Sequence, residues 1–217
     1  MEESIYELIK GKAQEASRCN GACKQGYHDL LKAENIGQLC RVLEKYWADV
    51  LGMHRASTFA IMDEIYQPNK ASFNEFGIFY NEGSASGKVI VNNVNVSVGG
   101  NAKVWAFGTS QVLLLDKSTG YAKDKSHIIA KDYSNAHMME ESFCEAYDRS
   151  IVNAAGKAVV HAYDACSVTA GETSNVYGYS WNRILAVGNS TVTASSNYKI
   201  KTLGQAKLYS KKEVSHE

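Results

Sequence analysis

ESFCEAYDRSIVNAAGKAVVHAYDACSVTAGE, residues 141–172, decides the fold of this chain. It divides into four eight-residue units, ESFCEAYD, RSIVNAAG, KAVVHAYD and ACSVTAGE, with nothing left over. The division extends in both directions without insertion or deletion, so that Asn101 to Lys212 holds 14 octads. The second position is Ser or Ala in 11 of them, the fourth is Val, Ile or Leu in 11, and the sixth is Ala in 9. The eighth is mostly Gly, Asp or Glu. A short fixed period signals a solenoid, in which each unit buries its apolar side by stacking on its neighbours.

The octad reads as strand and turn. Successive side chains of a strand point to opposite faces, so positions two, four and six share one face. Those positions are small, branched and small. Position eight supplies the bend: Gly tolerates positive φ and Asp bonds to turn backbone. A helix would smear the small residues around its surface, because it advances about 100° per residue. Asp116, Asp132, Asp148 and Asp164 recur every 16 residues, as do Tyr147, Tyr163 and Tyr179. A coil of two octads keeps these columns pure, and a coil of three octads, the alternative, mixes Asp with Gly. The expected fold is therefore mainly β with an α-helical N-terminal cap: a β-solenoid of about 16 residues per coil. Seven coils at roughly 4.8 Å per strand make a rod about 34 Å long. Gly120 and Ala136 at position four thin its core, and Leu114 and Met138 at position six are expected to restore the volume.

Three segments result: a helical head over 1–75, the solenoid over 76–212 and a charged tail over 213–217. In the head, Ile5, Leu8 and Ile9 begin an apolar face, and Tyr27 to Ala33 is a short helix. IGQLCRVLEKYWADVL places Leu39, Val42, Leu43, Tyr46, Trp47, Val50 and Leu51 on one stripe. Asn35 is its expected N-cap and Gly52 its stop. A last helix is expected from Ser57 or Thr58 to Tyr66, before Pro68. FGIFYNEG (76–83) and KVIVNNVNVSVGG (88–100) alternate as strands. The solenoid is expected to start near Lys88, with its first regular coil at Asn93. The Trp47 face of the head is the expected cover for the first coil, and SKKEVSHE for the last.

Composition narrows the function. The 217 residues carry 23 basic and 23 acidic side chains, which argues against bulk electrostatic capture of nucleic acid. No apolar run is long enough for a membrane span, and the N-terminus has no apolar signal region. A cytoplasmic location is the expectation. Cys19, Cys23 and Cys40 are read as buried thiols, with three ligands of a zinc site as the alternative. Cys144 and Cys166 fall at inward positions. No G-x-S-x-G, H-E-x-x-H, P-loop or Rossmann glycine pattern occurs, and no cofactor is implied. The octads leave no loop from which to build a pocket, so a solenoid-based enzyme ranks third among the readings.

Two surfaces stand out. Tyr147, Tyr163 and Tyr179, with His161, Tyr177 and Trp181, form the expected binding surface, since aromatics are enriched at interaction patches. The same column doubles as a cross-strand stacking ladder. The ladder of Asp116, Asp132, Asp148 and Asp164 reads as turn chemistry neutralised by Lys117, Lys125, Arg149 and Lys157; cation binding and nucleic-acid mimicry are the sharper alternatives.

The helical N-terminus (YELIKGKAQEASRCNGACKQGY), the GIFYNEG strand and octads such as KAVVHAYD (157–164) and ESFCEAYD (141–148) resemble octapeptide-repeat solenoid proteins of phages and mobile elements in Bacteroidales-like gut bacteria. The resemblance implies an accessory protein that antagonises host defence by binding. Bactofilin-like polymer-forming solenoids are a weaker match, because a helical cap blocks one polymerising end. The leading expectation is a non-catalytic protein that recognises a protein partner. The structural alternative is self-assembly into filaments, or into a homodimer through the head.

Overall fold

The computed structural model describes residues 7, 10–11, 14, 24–46, 51, 55–195 and 199–210. The expectations for Ile5, Leu8, Ile9, Cys19, Cys23, Trp47, Val50, Gly52 and the tail after Ser210 lie outside them. The chain forms two compact units, Met1–Tyr80 and Asn81–Glu217.

The first unit contains helices α1 (Lys24–Lys32), α2 (Ile36–Lys45), α3 (Arg55–Ile65) and α4 (Lys70–Glu75), and a short strand, Ile78–Tyr80. Asn35 caps α2, its side chain accepting the Gln38 N–H at 2.9 Å. The Gln38 side chain in turn accepts the Glu34 N–H at 2.8 Å. Asp29 of α1 ties the two helices together: it meets Lys45 Nζ at 2.6 Å, the Tyr46 hydroxyl at 2.7 Å and the Gln25 amide at 2.8 Å. These three donors hold its carboxyl well below the usual carboxylate range. α3 begins at Arg55, ahead of the expected Ser57 or Thr58, and buries Phe59, Met62 and Ile65 at helical spacing. Leu39, Val42 and Leu43 are only half-buried, whereas Cys40 is buried. Burial pushes its thiol up to about 12. α4 was not expected. Pro68 opens a single 3-10 turn (Gln67–Asn69), which leads straight into α4. Proline is tolerated there, since a first-turn N–H needs no helical partner.

In the second unit the chain winds as a parallel β-solenoid with two strands per coil. A front sheet runs from Lys88–Asn92 through Lys103–Phe107, Thr119–Ala122, Asn135–Met138, Ile151–Ala154, Ser167–Ala170 and Arg183–Ala186 to Ile200–Thr202. A back sheet runs from Asn95–Val98 through Gln111–Leu114, His127–Ala130, Phe143–Ala146, Val159–Ala162, Asn175–Gly178 and Thr191–Ala194 to Lys207–Ser210. Each strand pairs with its neighbour 16 residues on, for example Val152 with Val168 and Val168 with Ile184. The first coil differs: Val89 pairs with Val104, a step of 15. Asn93, at φ 57°, already turns the chain there.

The interior is as narrow as the small–branched–small pattern demands. Before the last coil, positions four and six are almost completely buried, including Val160, Ala162, Val168 and Ala170. Cys144 and Cys166 are buried in the same layer. Burial pushes both thiols up, Cys166 to about 11. A methyl group added at Gly120 would stand 2.8 Å from Leu114 Cδ1 and 2.8 Å from Ile128 Cδ1. Leu114 therefore fills the volume that Gly120 leaves empty. Each turn is closed from inside. The Ser126 N–H donates to the Lys123 carbonyl at 3.1 Å and its hydroxyl donates to the same oxygen at 2.7 Å. Ser110, Ser118, Ser150, Ser174 and Ser190 repeat the hydroxyl contact. That bond offsets the desolvation of a buried hydroxyl.

Gly120→Val is expected to destabilise the solenoid by about 1–3 kcal/mol through overpacking. Adding Leu114→Ala should return part of that loss. Thermal denaturation of the single and double variants measures both effects, and strictly additive losses would show that the two sites do not share one volume.

Candidate interaction face

His161 and Tyr177 lie on the outer face of the back sheet, and Tyr147, Tyr163 and Tyr179 directly follow its strands. Tyr147, Tyr163 and Tyr179 stand at position seven of three successive coils. Their rings are nearly parallel: centroids lie 4.8 Å apart at 7° between Tyr147 and Tyr163, and 4.9 Å apart at 10° between Tyr163 and Tyr179. Each ring therefore turns its faces along the coil axis toward its neighbours. The outer side of the ladder is a row of ring edges and phenol oxygens. His161 meets Tyr177 at 5.0 Å and Tyr179 at 5.6 Å, both edge to face. Trp181 lies past the turn at Ser180, leading into the front sheet, and is 73% exposed.

The face extends further than the sequence reading drew it. Phe143 packs against His161 at 5.0 Å and His127 at 4.8 Å. Glu145 sits between a histidine and a tyrosine. One carboxylate oxygen is 3.9 Å from His127 Nε2, and the other accepts the Tyr147 hydroxyl at 3.0 Å. Lys131 Nζ lies 5.7 Å from the Tyr147 ring. Burial, then the bond to Glu145, pushes the Tyr147 hydroxyl up to about 12, and burial also raises Tyr163. Burial lowers His127, with Glu145 opposing it; burial alone lowers His137. The front sheet carries a second ladder that the sequence reading passed over: Trp105 stacks on Tyr121 at 5.2 Å, and Tyr121 on His137 at 4.8 Å. The signal was present, since these residues are also spaced by 16.

The acidic ladder occupies one edge of the solenoid. Asp116, Asp132, Asp148 and Asp164 all adopt positive φ, between 49° and 57°. Each reaches back one coil. Asp116 Oδ2 accepts the Gly100 N–H at 2.8 Å, Asp132 that of Asp116 at 3.0 Å, Asp148 that of Asp132 at 3.1 Å, and Asp164 that of Asp148 at 3.2 Å. The opposite edge follows the same rule. Asp124 accepts from Gly108, Glu140 from Asp124 and Glu172 from Gly156. A side chain at Gly156 would crowd the Glu140 backbone, with its Cβ 2.8 Å from Glu140 N, so glycine alone fits there. A shallow groove of about 450 Å³ runs along this edge, between Thr109, Lys125 and Glu141. Two of the four basic neighbours are engaged elsewhere: Arg149 lies 5.9 Å from the Tyr133 ring, and Lys157 pairs with Glu141 at 3.7 Å.

No protein-family model, curated protein or solved structure matches this chain. Among the described residues, no helix is long and apolar enough to cross a membrane.

Two outcomes follow. Asp132→Ala should cost about 1–2 kcal/mol, because alanine resists the left-handed turn and drops the bond to Asp116. Asp132→Asn keeps an acceptor oxygen and tolerates that turn, so urea denaturation should place it near the parent. A larger loss in Asn than in Ala would mean the charge, not the hydrogen bond, matters. The second outcome concerns pH. The unfolded chain protonates its histidines near the ordinary value of 6.5, whereas folded His127 and His137 resist the proton. Their contribution is complete above 6.5 and is lost as pH falls below it. Replacing both with Gln should flatten the acid side of the stability profile below 6.5.

Proposed function

We propose that the chain is a non-catalytic binding protein that recognises a protein partner through the outer face of the back sheet. The observation that supports this reading is the continuous strip of Tyr147, Tyr163, Tyr179, His161, Tyr177 and Phe143 on one rigid surface. Aromatic side chains of this kind anchor protein interfaces because they bury large area at low entropic cost. The ladder binds edge-on, through phenol hydroxyls and ring edges, because the ring faces are taken up by one another. That geometry suits backbone and side-chain polar groups of a protein better than a sugar ring or nucleobase, both of which need an open aromatic face.

The likeness to solenoid proteins of phages and mobile elements supports a narrower reading, in which the partner belongs to a host defence system and is inhibited by direct binding in the cytoplasm.

The test is capture from a native host lysate with the full chain as bait, beside a His161→Glu/Tyr177→Lys variant shown by circular dichroism to be folded. The parent should retain one partner in near-stoichiometric amount, and the variant should lose it. Equal retention by both baits would move the interface elsewhere. An empty parent bait together with turnover in a broad substrate screen would replace the binding reading with an enzymatic one.

A further inference from the structure

The two ends of the solenoid are not equivalent. At the first coil, the turn that follows Asn95–Val98 is tied to the segment before it. The Ser84 carbonyl accepts the Gly99 N–H at 3.1 Å, and the Ala85 carbonyl accepts the Asn101 N–H at 3.1 Å. Gly83 lies so close to the Ser97 carbonyl that no side chain fits between them. Among the described residues, nothing corresponds to this at the last coil. Both sheets terminate, the front at Ile200–Thr202 and the back at Lys207–Ser210.

The parallel ladder tells which groups are left over. Odd positions point back to the preceding coil, as in Lys207 N–H to the Ser190 carbonyl at 3.0 Å and Leu203 N–H to the Ala186 carbonyl at 2.8 Å. Even positions point forward, as in Ile184 N–H to the Lys199 carbonyl at 3.2 Å. On the last coil the forward-pointing residues are Ile200, Thr202, Leu208 and Ser210, and no later strand among the described residues receives them. Ile200 and Leu208, whose counterparts in earlier coils are buried, are half-exposed here. Leu203 and Tyr209 beside them are 47% and 52% exposed.

Charge changes at the same end. Residues 101–172 carry nine acidic and seven basic side chains. Residues 173–210 carry no acidic side chain and four basic ones, Arg183, Lys199, Lys201 and Lys207. All four are exposed. Lysines along an edge repel a second copy of that edge, which brings the same charges.

We propose that the last coil is a strand-docking site for an extended acidic segment of a partner protein. The segment adds a further rung: its backbone pairs with the forward-pointing groups of Leu208 and Ser210, or of Ile200 and Thr202. Its carboxylates face Lys201 and Lys207, and its apolar side chains cover Ile200 and Leu208. Main-chain hydrogen bonds supply affinity in this mode and side chains supply selectivity. The site is separate from the aromatic face of the back sheet.

The experiment uses the full chain and a fluorescein-labelled peptide of alternating glutamate and valine, with a twin carrying lysine for glutamate. Fluorescence anisotropy should show binding of the acidic peptide, weakening with added salt, and none of the lysine twin. Thr202→Pro/Ser210→Pro removes two forward-pointing N–H groups and leaves the backward ladder intact. It should weaken binding at least about tenfold, as should Lys201→Glu/Lys207→Glu. His161→Glu/Tyr177→Lys should leave it unchanged, which separates this site from the aromatic face. Circular dichroism checks that each variant is folded. No binding, equal binding of both peptides, or acidic binding indifferent to the proline pair would overturn the proposal. So would equal competition by a single-stranded oligonucleotide. A parent chain that sediments as a dimer, with the proline pair a monomer, would assign the edge to a second copy and overturn it too.

Discussion

From Gly100 to Glu172 the coils are tied together chiefly by one kind of contact. A carboxylate at the eighth position reaches back 16 residues and accepts the N–H of the turn in the coil before it, as Asp132 does for Asp116. The turn residue sits at positive φ, where a branched or bulky side chain is strained. Its N–H points along the solenoid axis and would otherwise rely on water. Aspartate answers both demands at once, since its short side chain tolerates the left-handed region and carries the acceptor. Glycine answers only the first, and at Gly156 the coils approach too closely for a side chain. The acidic columns are therefore part of the winding. Their spacing comes from the coil and requires no ligand.

The fixed turn sets the rest of the cross-section. Reversal every eight residues leaves a four-residue strand, of which two side chains point inward. Two sheets drawn together by such short strands leave room for one branched and one small residue per strand. Gly120 shows how tight the fit is, because its missing methyl is replaced by Leu114 and Ile128 from the opposite sheet. Serine at position two completes the logic. At Ser126 and five of its counterparts it donates both its N–H and its hydroxyl to the carbonyl that starts the turn, so the polar group is buried with its bond made, whereas the buried hydroxyls of Ser134 and Ser142 have no partner.

This economy explains what could be read from the sequence. The columns at 16 residues fixed coil size, register and inward faces, because a solenoid repeats one local environment. The α2 cap at Asn35 was legible for the same local reason. What was hidden depends on non-periodic detail. The helix at Lys70–Glu75 follows a proline that reads as a stop, and only its setting against Tyr66, whose hydroxyl reaches Asn74, favours continuation. The 15-residue step at Val89 arises where the first coil is made to measure. For the candidate face, the sequence placed the tyrosines in a column but could not say which way the rings turn. The nearly parallel stacking of Tyr147, Tyr163 and Tyr179 changes what they offer a partner.

A periodic rod satisfies itself. Along its length, backbone groups meet the coils on either side, carboxylates meet turns and ring faces meet rings. Recognition then has two places left to act: the outward edges of side chains, and the points where the period stops. The back-sheet face belongs to the first kind. The last coil belongs to the second, and there three changes coincide. The acidic columns give way to Ser180 on one edge and to Gly188 and Gly204 on the other, the charge becomes wholly basic, and inward residues such as Leu208 come into solvent. Edge strands are commonly shortened, twisted or lined with lysine, and the lysines here deter a second copy of the same edge. Here the final strand keeps full length and register with Thr191–Ala194, and carries one sign of charge. Those properties suit a template whose next rung comes from another chain.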